Sequence, residues 1–174
     1  MPAYIQTQGV ILSSKLLPGN DVIYTALTST HGKVRIYGRG VKNLMSRRKP
    51  HVQTGNLVSF VLRSNRDQLY LQETSLISAF SAIKLSSEKT AWLYPYLFMI
   101  DRLMPEHEVD AVVYQLLQKY LIALSEQSHP AERFIDSANR LLIQLGYSEA
   151  TLSLSELSHL FTETTGQKLP INTI

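Results

Sequence analysis

Cysteine is absent from this 174-residue sequence, so disulfide bonds and thiolate-bound metals are excluded, and the composition fits a reducing compartment. Long hydrophobic runs are also absent. The longest apolar stretch, at 91–100, is interrupted by Pro95 and is far shorter than the ~20 residues that span a bilayer. The first residues show no charged leader followed by an apolar core, which a signal peptide would need. From these absences we expect a cytoplasmic protein.

Recognisable catalytic and metal-binding motifs are missing as well. Gly38 and Gly40 suggest a phosphate-binding loop, but the third glycine of G-x-G-x-x-G is replaced by Asn43. We therefore expect these glycines to serve turns, bulges or close backbone approaches. The pair Glu156-x-x-His159 lacks the second copy that a di-iron site requires. The five histidines are scattered: His31, His51, His107, His129 and His159. The sequence thus predicts a non-enzymatic protein without a metal ion or other cofactor.

Positive charge is concentrated in the first half of the chain. Residues 1–83 carry ten Lys or Arg against three Asp or Glu, whereas 84–174 carry seven against eleven. The local net charges are therefore +7 and −4 within a total of +3. Such asymmetry indicates that the basic half binds a polyanion, the alternative being a surface charge that only aids solubility.

The first eighty residues have the pattern of short β-strands separated by turns. We predict strands at 4–13, 22–29, 33–40, 57–63 and 68–74, the last of which can extend to Phe80. The turns are marked by Pro18 and Gly19 and by Gly32, and a 16-residue polar connection, 41–56, separates the third and fourth strands. Five strands with this spacing favour a small closed barrel of the OB kind, with an SH3-like barrel as the nearest competitor.

Helical periodicity replaces the β pattern after Lys84. We predict a helix at 86–103 with a kink or break near Pro95, and a second one whose apolar positions recur from 109 to 124. Glu106, Glu108 and Asp110 are expected in the first turn of that second helix. A third helix is expected to start at Pro130, and a fourth follows the capping box at 153–156. The fold class is thus α+β: an OB-like domain at 1–82 and an all-α helical bundle at 83–174.

The third predicted strand carries the residues that we expect to bind nucleic acid. Side chains alternate between the faces of a strand, so one face presents its cations and a tyrosine while Val34 and Ile36 fill the core. Cations that follow phosphates beside a ring that stacks on a base suit single-stranded nucleic acid. The connection after the strand adds four more cations and no acid. The candidate DNA-binding residues are Lys33, Arg35, Tyr37, Arg39, Lys42, Arg47, Arg48 and Lys49.

Several spaced motifs resemble the RecO family of bacterial recombination mediators. The family pattern has an apolar start, an acidic turn, a T-x-x-x-G-K turn and a G-x-x-x-x-x-S-R segment. The similar residues here are Gly9-Val-Ile-Leu12, Gly19-Asn-Asp21, Thr28-x-x-His-Gly-Lys33, Gly38-Arg-Gly40, Gly40 to Ser46-Arg47, Arg133-Phe134 and Leu142 to Gly146. The resemblance covers most of the chain, and its distinctive residues lie in 9–47.

This resemblance implies an OB-fold domain followed by a helical domain. It implies binding of single- and double-stranded DNA, annealing of complementary strands, and help in loading RecA onto DNA covered by single-strand-binding protein (SSB). The implied partners are RecR-like and SSB-like proteins, the latter through an acidic tail, at the nucleoid in the cytoplasm. Two features differ from the family: the four-cysteine zinc site of some members has no counterpart, and the chain is shorter than usual.

Other functions remain open on the sequence alone. The basic barrel can instead dock an acidic protein partner as an adaptor, because carboxylates suit the same cations. RNA is a further ligand, since OB folds accept both polymers. Little base preference is expected.

Overall fold

A computed structural model describes residues 3–42 and 47–171, in which five strands precede five helices. The strands are β1 (Ala3–Leu16), β2 (Val22–Thr28), β3 (Gly32–Gly38), β4 (Leu57–Asn65) and β5 (Gln68–Ser78). The helices are α1 (Ser81–Lys84), α2 (Ser87–Leu103), α3 (Ala111–Glu126), α4 (Pro130–Gln144) and α5 (Leu154–Thr165). The chain divides into two compact units. The barrel unit comprises the residues through Ala79 together with Pro105–Val109, and the helical unit comprises Phe80–Met104 and the residues from Asp110 onward.

The five strands form a closed barrel in the order β1-β2-β3-β5-β4. All neighbours are antiparallel except β3 and β5, which run parallel, and β1 closes the ring by pairing with both β2 and β4. Alternate side chains such as Val34, Ile36, Phe60, Leu62 and Leu71 fill the interior. The α+β class and the OB-like barrel predicted from the sequence are therefore confirmed.

Gly38 is required by a close backbone approach at the end of β3. A Cβ atom on this residue would lie 2.8 Å from Cγ2 of Val41 and 2.9 Å from the ring of Tyr24. Tyr24 is itself buried, and burial raises its pKa to about 12. The expectation that this glycine serves close packing is confirmed, and the packing brings the end of β3 tightly against β2.

Aromatic side chains of α2 hold the helical unit together. The ring of Tyr96 lies 4.1 Å from that of Tyr120, and the Tyr120 hydroxyl donates to the backbone carbonyl of Trp92. The ring of Trp92 lies 5.1 Å from that of Phe134 on α4. Such ring pairs stabilise the folded state beyond the effect of burying their apolar area. Within the part of the chain that the structure describes, no helix is long and apolar enough to cross a membrane.

Three details differ from the sequence-based expectations. Of the kink or break expected near Pro95, the break is wrong, because α2 continues through this residue. Buried side chains on both sides pack there and offset the ~3 kcal/mol cost of an internal proline. The placement of Glu106 and Glu108 in the first turn of α3 is also wrong. This helix begins after Asp110, and both glutamates belong to the barrel unit. The short helix α1 was not predicted.

Asp110 caps α3, and its replacement tests this boundary. Its Oδ1 accepts from the backbone N–H groups of Val112 and Val113, at 2.8 and 3.0 Å, and its Oδ2 accepts from Gln144 at 3.1 Å. Asp110→Ala should lower the free energy of unfolding of the helical unit by about 1 kcal/mol, because N-terminal amides of α3 lose their acceptor. Urea unfolding followed by Trp92 fluorescence measures the change. Asp110→Asn, which can still cap, should cost much less; equal losses would contradict this role.

Candidate nucleic-acid interface

A row of aromatic and arginine side chains crosses the outside of the barrel. Tyr37 of β3 pairs with Tyr70 of β5, Tyr70 pairs with Arg63 of β4, and Arg63 pairs with Tyr4 of β1. Their strand neighbours on either side, such as Ile36 and Leu62, point into the core, so these four side chains face outward. We call this set, Tyr4, Arg63, Tyr70 and Tyr37, the aromatic–arginine row.

Tyr70 is the centre of this row. Its ring centroid lies 5.7 Å from that of Tyr37, with the two planes tilted by 37°. The guanidinium carbon of Arg39 lies 4.9 Å from the Tyr70 centroid, and that of Arg63 lies 5.5 Å from it. At these distances cations and a ring attract each other. The strand pairing therefore places two tyrosines and two arginines in one surface cluster.

The eight candidate residues from the sequence do not share one environment. Arg39, Arg47 and Lys49 are exposed, and Tyr37 is half-buried within the row. Lys33 is only 8% exposed. Arg35 is exposed but forms an ion pair with Glu106. The alternation expected along β3 therefore presents Arg35, Tyr37 and Arg39 outward, whereas Lys33 is covered.

Lys42 and Arg48 bind backbone carbonyl groups of the barrel unit. The Lys42 ammonium donates to the carbonyls of Leu17 and Gly19, in the turn between β1 and β2. The Arg48 guanidinium donates to the carbonyl of Leu71 at 3.0 Å and to that of Arg39 at 2.8 Å. Both cations therefore hold the connection between β3 and β4 against other parts of the barrel unit. Their carbonyl acceptors are neutral, so these contacts place no opposite charge beside either cation.

The segment Pro105–Val109 covers the beginning of β3. Glu106 forms a parallel bridge with Lys33, and the N–H of His107 donates to the Lys33 carbonyl at 2.8 Å. Gly32 has a φ of 65°, and a Cβ atom there would lie 2.0 Å from the carbonyl oxygen of Glu108. Only glycine fits such an approach. This segment places the Glu106 carboxylate beside Arg35 and neutralises one cation of the outer face.

The family model described as "Recombination protein O N terminal" matches residues 1–80. A protein from Moorella thermoacetica named DNA repair protein RecO is 25% identical over 126 residues, which are 72% of this chain and 47% of that protein. Over residues 1–80 this chain matches the RecO family.

Two further relatives carry the same name. The one from Bifidobacterium longum is 29% identical over 133 residues, covering 75% of this chain and 55% of the relative. The one from Frankia casuarinae is 29% identical over 153 residues, covering 86% of this chain and 63% of the relative. The chain thus spans about half the length of the curated relatives it matches first.

The motif residues that resemble the RecO family shape two turns of the barrel. The Thr28 hydroxyl donates to the carbonyl of Gly32 at 2.9 Å and accepts from the N–H of His31 at 3.1 Å, which fixes the turn between β2 and β3. Oδ1 of Asp21 accepts from the N–H of Gly40 at 2.9 Å and so joins the start of β2 to the end of β3. Asn43 and Ser46, both named in the sequence analysis, lie outside the described residues.

Sequence reasoning missed the members of the row on β4 and β5. Arg63 and Tyr70 were placed on predicted strands but not assigned to the surface. The alternation of core residues shows only that each faces outward; it does not show which strand lies beside it. The parallel register of β3 with β5 supplies that information. Among the described residues, no group of three or more His, Asp or Glu is arranged to hold a metal ion.

Substitutions of Arg48 and of its exposed neighbour Arg47 distinguish a cation that stabilises the barrel from one that is only exposed on its surface. Arg48→Ala should lower the free energy of unfolding of the barrel by about 1 to 3 kcal/mol, because two carbonyls lose a charged donor. Arg47→Ala removes the same charge from an exposed position and should change stability by less than about 0.5 kcal/mol. Urea unfolding followed by far-UV circular dichroism measures both. Equal effects would show that the Arg48 contacts contribute little.

Proposed function

We propose that this protein binds single- and double-stranded DNA without catalysing a reaction and acts as a mediator of DNA repair and recombination. The observation that carries the proposal is the cluster of Tyr37, Tyr70, Arg39 and Arg63 on the barrel. OB folds bind oligonucleotides on the face of strands 2 and 3, between the loops that follow strands 1 and 4. In the cluster, Tyr37 lies on β3 and Arg39 directly follows it, and Tyr70 lies near the start of β5, shortly after the turn at 66–67.

Two interactions account for this binding: aromatic rings stack on bases, and cations contact phosphates. Stacking of a base on an aromatic side chain contributes about 1–3 kcal/mol and tolerates any base. Arginine guanidinium groups neutralise phosphates, and the release of counterions makes the affinity depend on salt. We propose that Arg35, Tyr37, Arg39, Arg47 and Lys49 contact DNA, joined by Arg63 and Tyr70. In this proposal Lys33, Lys42 and Arg48 shape the surface and add to its positive potential.

The finer activities are proposals for this chain that rest on its similarity to the RecO family. We propose annealing of complementary strands, since a cationic surface screens the repulsion between two phosphate backbones. We also propose help in loading RecA onto DNA coated with SSB, with RecR-like and SSB-like proteins as partners, at the nucleoid. The region 1–82 then serves as the nucleic-acid-binding domain, and 83–174 as the helical domain. The relatives from Moorella thermoacetica and Bifidobacterium longum are named DNA repair protein RecO, which supports the mediator role.

A triple substitution on the proposed surface tests DNA binding. The affinity of the wild-type protein for duplex DNA should fall roughly 10³-fold between about 50 and 200 mM salt if about six phosphates are contacted. Changing Arg39, Arg47 and Arg63 to Gln should weaken binding to single-stranded DNA and make the slope of log K against log salt less negative by about 2. Fluorescence anisotropy measures both quantities. The control changes Lys119, Arg140 and Lys168 of the helical unit to Gln, with the same loss of charge and little expected effect.

An unchanged slope in the surface variant would refute this assignment of the residues. A wild-type protein that binds no oligonucleotide at low salt would refute DNA binding altogether. Retention of an acidic protein by the same surface would then support the adaptor function instead.

Annealing of complementary oligonucleotides tests the mediator activity. The wild-type protein should accelerate duplex formation from naked strands and from strands coated with SSB, because it brings two polyanions together. The surface variant should lose this acceleration and the control variant should retain it. A donor and an acceptor dye on the two strands report the rate by energy transfer. DNA binding without any acceleration would leave a DNA-binding protein that is not an annealing mediator.

A further inference from the structure

A small cavity opens on the barrel beside the aromatic–arginine row. It has a volume of about 200 Å³, and its walls include Asp21, Val22, Tyr37, Arg39, Gln68 and Tyr70. Pockets for drug-sized ligands hold roughly 300–1,000 Å³. This cavity therefore has room for one planar group rather than for a whole nucleotide. Its walls come from the turn after β1, the end of β3 and the start of β5.

Asp21 is an unusual residue for a surface that attracts phosphate. Its carboxylate repels the DNA backbone, so its presence needs a role that outweighs this repulsion. One role is visible: Oδ1 accepts from the N–H of Gly40 at 2.9 Å, which also fixes the position of the carboxylate. A carboxylate offers about four lone pairs, so a single hydrogen bond leaves acceptor capacity for a ligand.

The cavity also contains hydrogen-bond donors. The Tyr70 hydroxyl donates to Oε1 of Gln68, so the amide nitrogen of Gln68 remains the donating end of this side chain. Arg39 carries five N–H donors and stacks beside Tyr70. The cavity thus combines an anionic acceptor on one side, donors on the other, and aromatic and guanidinium planes on which a base can stack.

We propose that this cavity takes one unstacked nucleobase of a bound single strand and prefers guanine. The inference rests on the proposed function, because the base arrives as part of the DNA. Guanine alone presents two adjacent donors, N1–H and the 2-amino group, which match the two oxygens of Asp21. Its O6 acceptor faces the donors of Gln68 or Arg39. Thymine presents one N–H between two carbonyls that the carboxylate repels. Adenine and cytosine each place one amino group beside a ring nitrogen that accepts.

Oligonucleotides that differ at one base test this preference. The probes are dye-labelled oligo-dT strands of about 15 nucleotides, within the usual site size of an OB fold, with a central T, G, A or inosine. A single G in a T background avoids the four-stranded structures of G-rich DNA. By anisotropy, the wild-type protein should bind the G strand about fivefold or more tightly than the all-T strand, at the lower end of what a bidentate base contact contributes. Inosine lacks the 2-amino group and should lose part of this advantage.

Asp21→Asn is the decisive variant, because an asparagine oxygen can still accept from Gly40. It should bind all four strands with equal affinity and should not weaken binding to the all-T strand. Asp67→Asn removes the same charge from the exposed turn between β4 and β5 and should retain the preference for G. Thermal unfolding checks that each variant folds, and the inosine comparison needs no variant.

The outcomes separate this inference from the proposed function. Equal binding of all four strands by the wild-type protein would overturn the guanine preference and leave DNA binding intact. A preference for G that persists in Asp21→Asn would overturn the role of the carboxylate. Absence of binding to every strand at low salt would overturn the proposed function and this inference together.

Discussion

The parallel pairing of β3 with β5 is the constraint on which the outer surface depends. It spans two residue pairs, Ile36 with Leu69 and Tyr37 with Tyr70, yet it closes a ring in which every other contact is antiparallel. The same register that brings Ile36 and Leu69 together in the wall brings Tyr37 beside Tyr70 outside it. Core packing and the surface cluster are therefore two results of one closure, and a change of register by one residue would exchange the faces.

Several of the cations in the basic half of the sequence are engaged by other groups of the protein, and the type of partner decides how much charge remains for a ligand. Lys42 and Arg48 bind neutral carbonyl groups, so their charge still contributes to the potential over the surface. Arg35 is balanced by a carboxylate at close range, so its contribution to that potential is largely cancelled. Hydrogen bonding to backbone and ion pairing thus have different electrostatic consequences, although both occupy a side chain.

Local sequence signals predicted most of the strands and helices, whereas contacts between distant parts of the chain could not be predicted from the sequence. Turn residues and alternating apolar positions gave all five strands, and the capping box at 153–156 and Pro130 gave the start of two helices. The return of Glu106 to the barrel has no local signal, because the acidic residues before α3 also fit the first turn of a helix. Arg63 and Tyr70 were beyond reach for a similar reason, since their partners are set by the closure of the barrel.

The segment Pro105–Val109 shows that the barrel unit is not a continuous stretch of chain. It follows α2 in sequence but covers the start of β3, where β5 does not pair. An uncovered strand edge exposes unpaired backbone groups, and here His107 satisfies the carbonyl of Lys33. A fragment that ended near residue 82 would lack this cover and would also release Arg35 from Glu106. Such a fragment would be more cationic on its outer face, so its affinity for a polyanion would exceed that of the same barrel in the full chain.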